Sequence, residues 1–187
     1  IAVCPAPLSK GLAMEAAANM AVLQARIAQD TPNLDCGDQF YADMPTPLSI
    51  GTMADYNNRD IYVKKGNSTV QLSGGRYKVC DFVTTYHPVG ELPPQFRYVR
   101  NLMLDFNVRF GYYLLEQINV VGHSISNDDD VVDAERVVKP KMWKGILAKY
   151  FTSLVSRALI VDADFSIDSC TVTISTVNPD RFETFFR

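Results

Sequence analysis

Histidine, cysteine and recognisable catalytic motifs are scarce in this sequence. It holds two histidines in 187 residues, His87 and His123, and no HExxH or GxSxG run. A zincin needs the first motif and a serine hydrolase of the elbow type needs the second. The four cysteines, Cys4, Cys36, Cys80 and Cys170, lie far apart with no CxxC pair. That spacing indicates neither a disulfide framework nor a zinc site, and the cysteines read as buried thiols of a reducing compartment. No apolar run reaches the roughly 18 residues that would indicate a bilayer-spanning helix. Ile1–Pro7 has neither the positive n-region nor the long h-region of a secretory signal. Basic charge is lacking too: 18 Lys and Arg against 21 acids leave a net charge of -3, no footprint for duplex nucleic acid. Internal repeats and low-complexity segments are absent.

What is present is core-forming material. Hydrophobic residues make up 47% and charged residues 21%, enough to build a sizeable core in one domain or two small ones. Ser9 is placed to cap a helix over Lys10–Gln29, with Leu12, Ala16, Met20, Leu23 and Ile27 at spacings of three and four. Asp30-Thr31-Pro32-Asn33 stops it. Residues 33–55, with Pro45, Pro47 and Gly51, predict irregular chain with one short turn. From Asp60, Ile61 and Val63 alternate with Tyr62 and Lys64 and predict a strand. A turn at Lys65-Gly66-Asn67 follows, then a return strand Ser68–Leu72, a turn at Ser73-Gly74-Gly75 and a long strand Tyr77–Tyr86. The sum is an antiparallel three-strand meander, broken by Pro88, Gly90, Pro93 and Pro94.

The long helix predicted from Gln95 to Val121 is the most informative element. Phe96, Val99, Met103, Phe106, Phe110, Tyr113, Gln117 and Val121 form one seam, and Leu104, Val108, Tyr112 and Leu115 form a second on the other side of the axis. A lone domain needs one apolar face per helix. A helix with two is deeply buried or shared with another subunit, which points to assembly rather than catalysis. A further helix follows Pro140, with Trp143, Leu147, Tyr150, Leu154 and Ala158 on its buried face and Lys141, Lys144, Ala148, Thr152 and Ser156 opposite. Ser169–Thr176 alternates strictly and predicts a strand; Asn178-Pro179-Asp180 turns the chain into an extended or helical segment Arg181–Arg187. The fold class is α+β, an antiparallel meander and a later strand packed with two long helices.

Candidate site residues follow from charge and position. His87 ends the long strand and reads as a strand-end or interface residue, with a catalytic base as the alternative; His123, at a helix end, reads as a dipole and capping residue with the same alternative. Asn127-Asp128-Asp129-Asp130, with Asp133 and Glu135, lacks the glycine of a calcium loop. It reads as a solvated loop, with an intersubunit contact or a metal as alternatives. Lys139, Lys141, Lys144 and Lys149 either solvate a helix face or dock on an acidic neighbour. The bases and aromatics of Arg97–Arg109 suit single-stranded nucleic acid in principle, but their helical spacing fits burial better.

Five runs occur in one order: NNRDIYVKKGNSTV, VCDFVTTYHP, RYVRNLMLDFNVRFGYYLLEQ, VKPKMW and ISTVNPDRFETFFR. Together they resemble the C-terminal part of contractile phage tail sheath proteins, above all the sheaths of Mu-like tails and related prophages, over residues 56–187. Residues 1–55 are similar, more weakly, to the end of the family's middle domain, an α/β domain of subtilisin-like topology without protease activity. The resemblance implies a structural protein rather than an enzyme, with no cofactor or metal. It implies self-assembly into hexameric rings stacked helically around a tail tube, with baseplate and terminator proteins as further partners and no membrane or nucleic acid. Contraction in the virion tail would deliver the genome, after assembly in the host cytoplasm. The family's C-terminal domain faces the tube, and terminal arms add strands to neighbouring sheets. The apolar start IAVCPAP and the end NPDRFETFFR lead us to expect a fragment of a larger polypeptide, or its ordered part, without those arms. Under this reading Lys141 and Lys144 face the tube or a neighbour. Asp128, Asp129 and Asp130 form an intersubunit or solvated patch. Ser169–Thr176, including Thr171 and Thr173, joins Arg181, Phe182, Phe185 and Phe186 in a sheet-edge region. A hydrolase using His87 or His123, and a baseplate or other contractile-injection component sharing the sheath module, are the alternatives.

Overall fold

The computed structural model describes residues 5–88 and 95–187. Cys4, and the breakers Gly90, Pro93 and Pro94, lie outside the described residues. Helices and strands are mixed along the chain, as an α+β protein requires. The chain divides into two compact units, Ile1–Phe106 and Asn107–Arg187. The domain boundary expected between residues 55 and 56 falls inside the first.

In the first unit, α1 covers Ala13–Asp30. It begins three residues later than expected, because Ser9 does not cap it. The Ser9 hydroxyl donates to the Pro45 carbonyl and accepts from the Gly11 N–H, while the Glu15 carboxylate accepts from the N–H of Leu12, the N-cap residue. Gln24 is buried on α1, accepts from the Cys36 N–H at 3.1 Å and donates to the Leu34 carbonyl, which holds the return loop on the helix. Residues 33–55 are irregular apart from a short 3-10 turn, Gly51–Ala54.

The expected strand at Asp60–Lys64 is a helix, α2, Tyr56–Lys64. Two alternating apolar residues are too short a signal to outweigh local caps. The Asp55 carboxylate accepts from the Asn58 N–H at 3.1 Å, Lys64 pairs with Asp60 one turn away at 2.6 Å, and Gly66 closes the end at φ +75°. The meander is therefore a two-strand antiparallel hairpin, β1 Thr69–Ser73 with β2 Arg76–Asp81, turned at Gly74-Gly75. The long strand expected to Tyr86 stops at Asp81, and beyond it Val83 makes only an isolated bridge to Tyr98. One face of the hairpin, through Val70, Tyr77 and Val79, packs with Ala16 and Met20 of α1 and with Tyr41, Phe82 and Val99.

The helix α3, Val99–Asn119, runs from the first unit into the second. Within the second unit follow a two-residue parallel pair, β3 Ser124–Ile125 and β4 Val137–Val138. Then come α4 Pro140–Ser156, α5 Ala163–Ser169, and an antiparallel hairpin of β5 Thr171–Ile174 and β6 Phe182–Phe185. α4 starts with Pro140 in its first turn, as expected. Its buried face is Trp143, Leu147, Phe151 and Leu154. Phe151 takes the place expected for Tyr150, which is half-buried, and Ala158 is exposed beyond the helix end. Trp143, Tyr112, Phe151 and Phe186 form one aromatic cluster with ring centroids 5.1 to 5.9 Å apart. α5 was not anticipated; the Asp162 carboxylate caps it by accepting from the Phe165 N–H at 2.9 Å.

α4 ends in a left-handed turn made by the wrong residue. Ala158 sits at φ 54°, where its N–H donates to Val155 and the Leu159 N–H donates back to Leu154. Alanine pays roughly 1 kcal/mol for that conformation, whereas glycine adopts it freely. Ala158→Gly should therefore raise stability by about 0.5–1 kcal/mol, read as an upward shift of the urea midpoint.

Candidate interaction surfaces

The two seams of α3 have different fates. The second packs inside its own unit: Tyr112 lies against Trp143 and Phe186, and the Val108 carbonyl accepts from the Tyr150 hydroxyl at 2.6 Å. The first is covered only at its start. Val99 is buried and Met103 packs on the first core. Beyond them Phe110, Tyr113 and Val121 are 59%, 50% and 53% exposed, and Phe106, the last residue of the first unit, is exposed as well. Leu114 and Ile118, which the seam spacing missed, widen the stripe. Phe110 and Tyr113 stack on each other with centroids 6.3 Å apart. A stripe of this size on one helix face is the kind of apolar patch that marks an association surface.

The acidic run is organised by its own unit. The Asp130 carboxylate accepts from the Ser126 hydroxyl at 2.8 Å and from the Asn127 N–H at 2.9 Å, and these bonds hold its pKa below the usual carboxylate value. Asp128 accepts from the Lys141 N–H at 2.9 Å, at the start of α4, where a carboxylate satisfies an orphan donor and the helix dipole together. The Lys139 ammonium donates to the Asp128 and Asp130 carbonyls at 3.3 and 2.5 Å. Asp128 and Asp130 thus clasp the α4 N-terminus, a role the sequence reading did not give them, and Asp129 is exposed beside them. Lys141 presents an exposed side chain. Lys144 is half-buried and lies near enough to Cys170 to favour its thiolate, though burial outweighs it and pushes the thiol pKa up.

The terminal region forms the β5–β6 hairpin, with Thr171 opposite Phe185 and Ile174 opposite Phe182. Each strand has a partner on one side only among the described residues, so each leaves an edge for pairing. Thr171, Thr173 and Arg181 are exposed, Phe182 is buried, and Phe186 joins the aromatic cluster. Phe185 is 57% exposed beneath the Arg187 guanidinium.

In the first unit an open cleft of about 390 Å³ is lined by Asp38, Tyr56, Arg59, Cys80, Asp81 and Tyr98. Its charged groups already have partners outside the lining. Asp38 pairs with Lys78 at 2.6 Å, Asp81 accepts from the Thr69 hydroxyl, and Arg59 donates to the Met53 and Ala54 carbonyls. Burial raises the Cys80 thiol pKa, with Arg59 opposing. These residues come from four separate stretches and carry no common motif, so sequence reading could not assemble them. The His87 ring nitrogen lies 2.6 Å from the Thr85 carbonyl and that of His123 lies 3.3 Å from the Val121 carbonyl, both local contacts. Cys36 and Cys170 are buried, as expected, and Cys80 is half-buried. Among the described residues no group of His, Cys, Asp and Glu is arranged to hold a metal, and no helix is long and apolar enough to cross a membrane. A scan of protein-family models finds no match to the chain, and a search of curated proteins finds none either.

Proposed function

We propose that the chain belongs to a contractile phage tail sheath subunit. In this reading it polymerises with copies of itself as stacked hexameric rings around a tail tube, in the virion tail, and shortens to drive genome delivery. The observation that carries the reading is α3: one seam packs within its own unit while the other stands exposed over Phe110–Val121. A structural lattice needs such a face, because its work is done by exchanging interfaces rather than bonds. The order of the five sequence runs over residues 56–187 gives the face its family context, and the open edges of the β5–β6 hairpin suit strand addition by a neighbour. Residues 1–55 belong, in the same reading, to the end of a middle domain of subtilisin-like topology. Ring contacts to baseplate and terminator proteins at the two ends of the tail complete the set of partners.

Lys141 and Lys144 supply the test. Both stand in the first two turns of α4, and neither is a ligand in an internal ion pair among the salt bridges of the described residues. Lys141→Glu with Lys144→Glu should weaken assembly around tubes, since a charge reversal at a contact costs attraction and adds repulsion. Negative-stain images of the protein expressed with a tail tube protein should show long striated tubes for the parent and few or none for the variant. Unchanged tubes would remove these two lysines from the interface, and no tubes from the full-length parent subunit, with its terminal arms, would remove the sheath reading.

A further inference from the structure

α4 contains a glycine that its own chain does not explain. Gly145 stands inside the helix Pro140–Ser156, where glycine is the poorest helix former after proline. Gly111 makes room for Tyr150, but a Cβ at Gly145 would meet nothing within 4 Å. Such a glycine leaves a notch open to an approaching group. At about 100° per residue Gly145 lies at the centre of the solvent face of α4, opposite the buried Trp143, Leu147, Phe151 and Leu154. Lys141 and Lys149 stand one turn before and after it, about 6 Å to either side along the axis, and both are exposed. α4 carries no acidic residue. Asp128 engages the Lys141 N–H, and neither lysine ammonium joins an ion pair among the described residues.

The matching charge and shape lie on α5 of the same unit. Phe165 is 56% exposed and Val161, four residues earlier, is 97% exposed. Asp164 and Asp168 stand beside Phe165, about 6 Å apart along the axis, and both are exposed. α5 carries no basic residue, and neither carboxylate joins an ion pair among the described residues. An aromatic ring flanked by acids therefore projects from one helix, and a notch flanked by bases opens on another. Both are exposed, so they do not meet within one chain. An apolar centre with a rim of opposite charges is how two protein surfaces recognise each other.

We propose that α5 of one copy docks on α4 of a second copy, with the Phe165 ring over Gly145 and with Asp164 and Asp168 against Lys141 and Lys149. The long, flexible lysine stems bring their ammonium groups in to the closer-spaced carboxylates. The contact uses a different face from each copy. It does not rest on the sheath reading, because it forms in solution without a tube.

Sedimentation velocity on the 187-residue chain tests this. At about 100 µM, a concentration that reveals even modest affinity, the parent should self-associate, and added salt should weaken the association. Asp164→Lys with Asp168→Lys should weaken it about tenfold or more by turning attraction into repulsion. Gly145→Leu should weaken it as much by filling the notch, yet raise the unfolding temperature, because leucine is the better helix former. The far-ultraviolet circular dichroism of both variants should show the parent's fold. Each variant keeps the face that the other has lost, so an equimolar mixture should form a 1:1 complex that neither forms alone. A monomeric parent, self-association indifferent to either variant, or a mixture no more associated than its components would each overturn the proposal. Tube imaging reads the sheath proposal separately, so either idea can fail without the other.

Discussion

Trp143→Ala will destabilise the second unit by about 3–5 kcal/mol, the range for removing a fully buried aromatic side chain. Trp143 is 0% exposed. Its ring lies 5.9 Å from that of Tyr112 on α3, and its Nε1–H donates to the Thr184 hydroxyl on β6 at 3.2 Å. One side chain thus joins α4 to the packed seam of α3 and to the terminal hairpin. Its loss leaves a cavity at the centre of the aromatic cluster and removes one partner of the Thr184 hydroxyl. Trp143→Phe keeps most of the ring contact and loses the hydrogen bond, so it should cost only about 1–2 kcal/mol. This is the chain's one tryptophan, so urea unfolding has to be followed by circular dichroism rather than fluorescence. A loss under about 1 kcal/mol for the alanine variant would mean that the cluster does not hold the unit together.

Gly111→Val will cost about 2–3 kcal/mol through overpacking and a broken hydrogen bond. A Cβ at Gly111 would stand 2.5 Å from the Tyr150 hydroxyl oxygen, which donates to the Val108 carbonyl at 2.6 Å. The glycine is there to let α4 approach α3 that closely, against the helix propensity that would favour alanine. The tyrosine hydroxyl decides the sign for smaller changes. Without it the nearest ring carbons lie 3.2 and 3.3 Å from the added Cβ. Gly111→Ala should therefore destabilise the parent and be neutral or stabilising in a Tyr150→Phe background. A double-mutant cycle on thermal unfolding measures this coupling; additivity of the two changes would contradict the account.

Sequence reading reached the elements whose signals are local and long. α4 was legible because Pro140 and four apolar residues at helical spacing agree, and α3 because both seams persist over several turns. The unequal fate of the two seams was not legible: which one finds Trp143 and Phe186 depends on residues tens of positions away. α2 was misread because Ile61 and Val63 alternate, while the deciding terms were the Asp55 cap and the left-handed Gly66 at its two ends. α5 has only about two turns of helix and one cap, too little for periodicity to register. The candidate residues divide the same way. Thr171, Thr173, Lys141 and Phe185 are exposed, as an interface requires. Asp128 reads in sequence as part of a charge run, but the Lys141 N–H it accepts from lies 13 residues on, so its role as a helix clasp emerges only when β4 has brought the chain back.

The account rests on a single surface, the exposed stripe of α3. A cryo-electron microscopy map of the protein assembled around a tail tube tests it most directly, through the surroundings of Phe110, Tyr113 and Ile118. The account predicts that these side chains are buried against a neighbouring subunit or the tube. A well-resolved lattice in which all three still face solvent would contradict it.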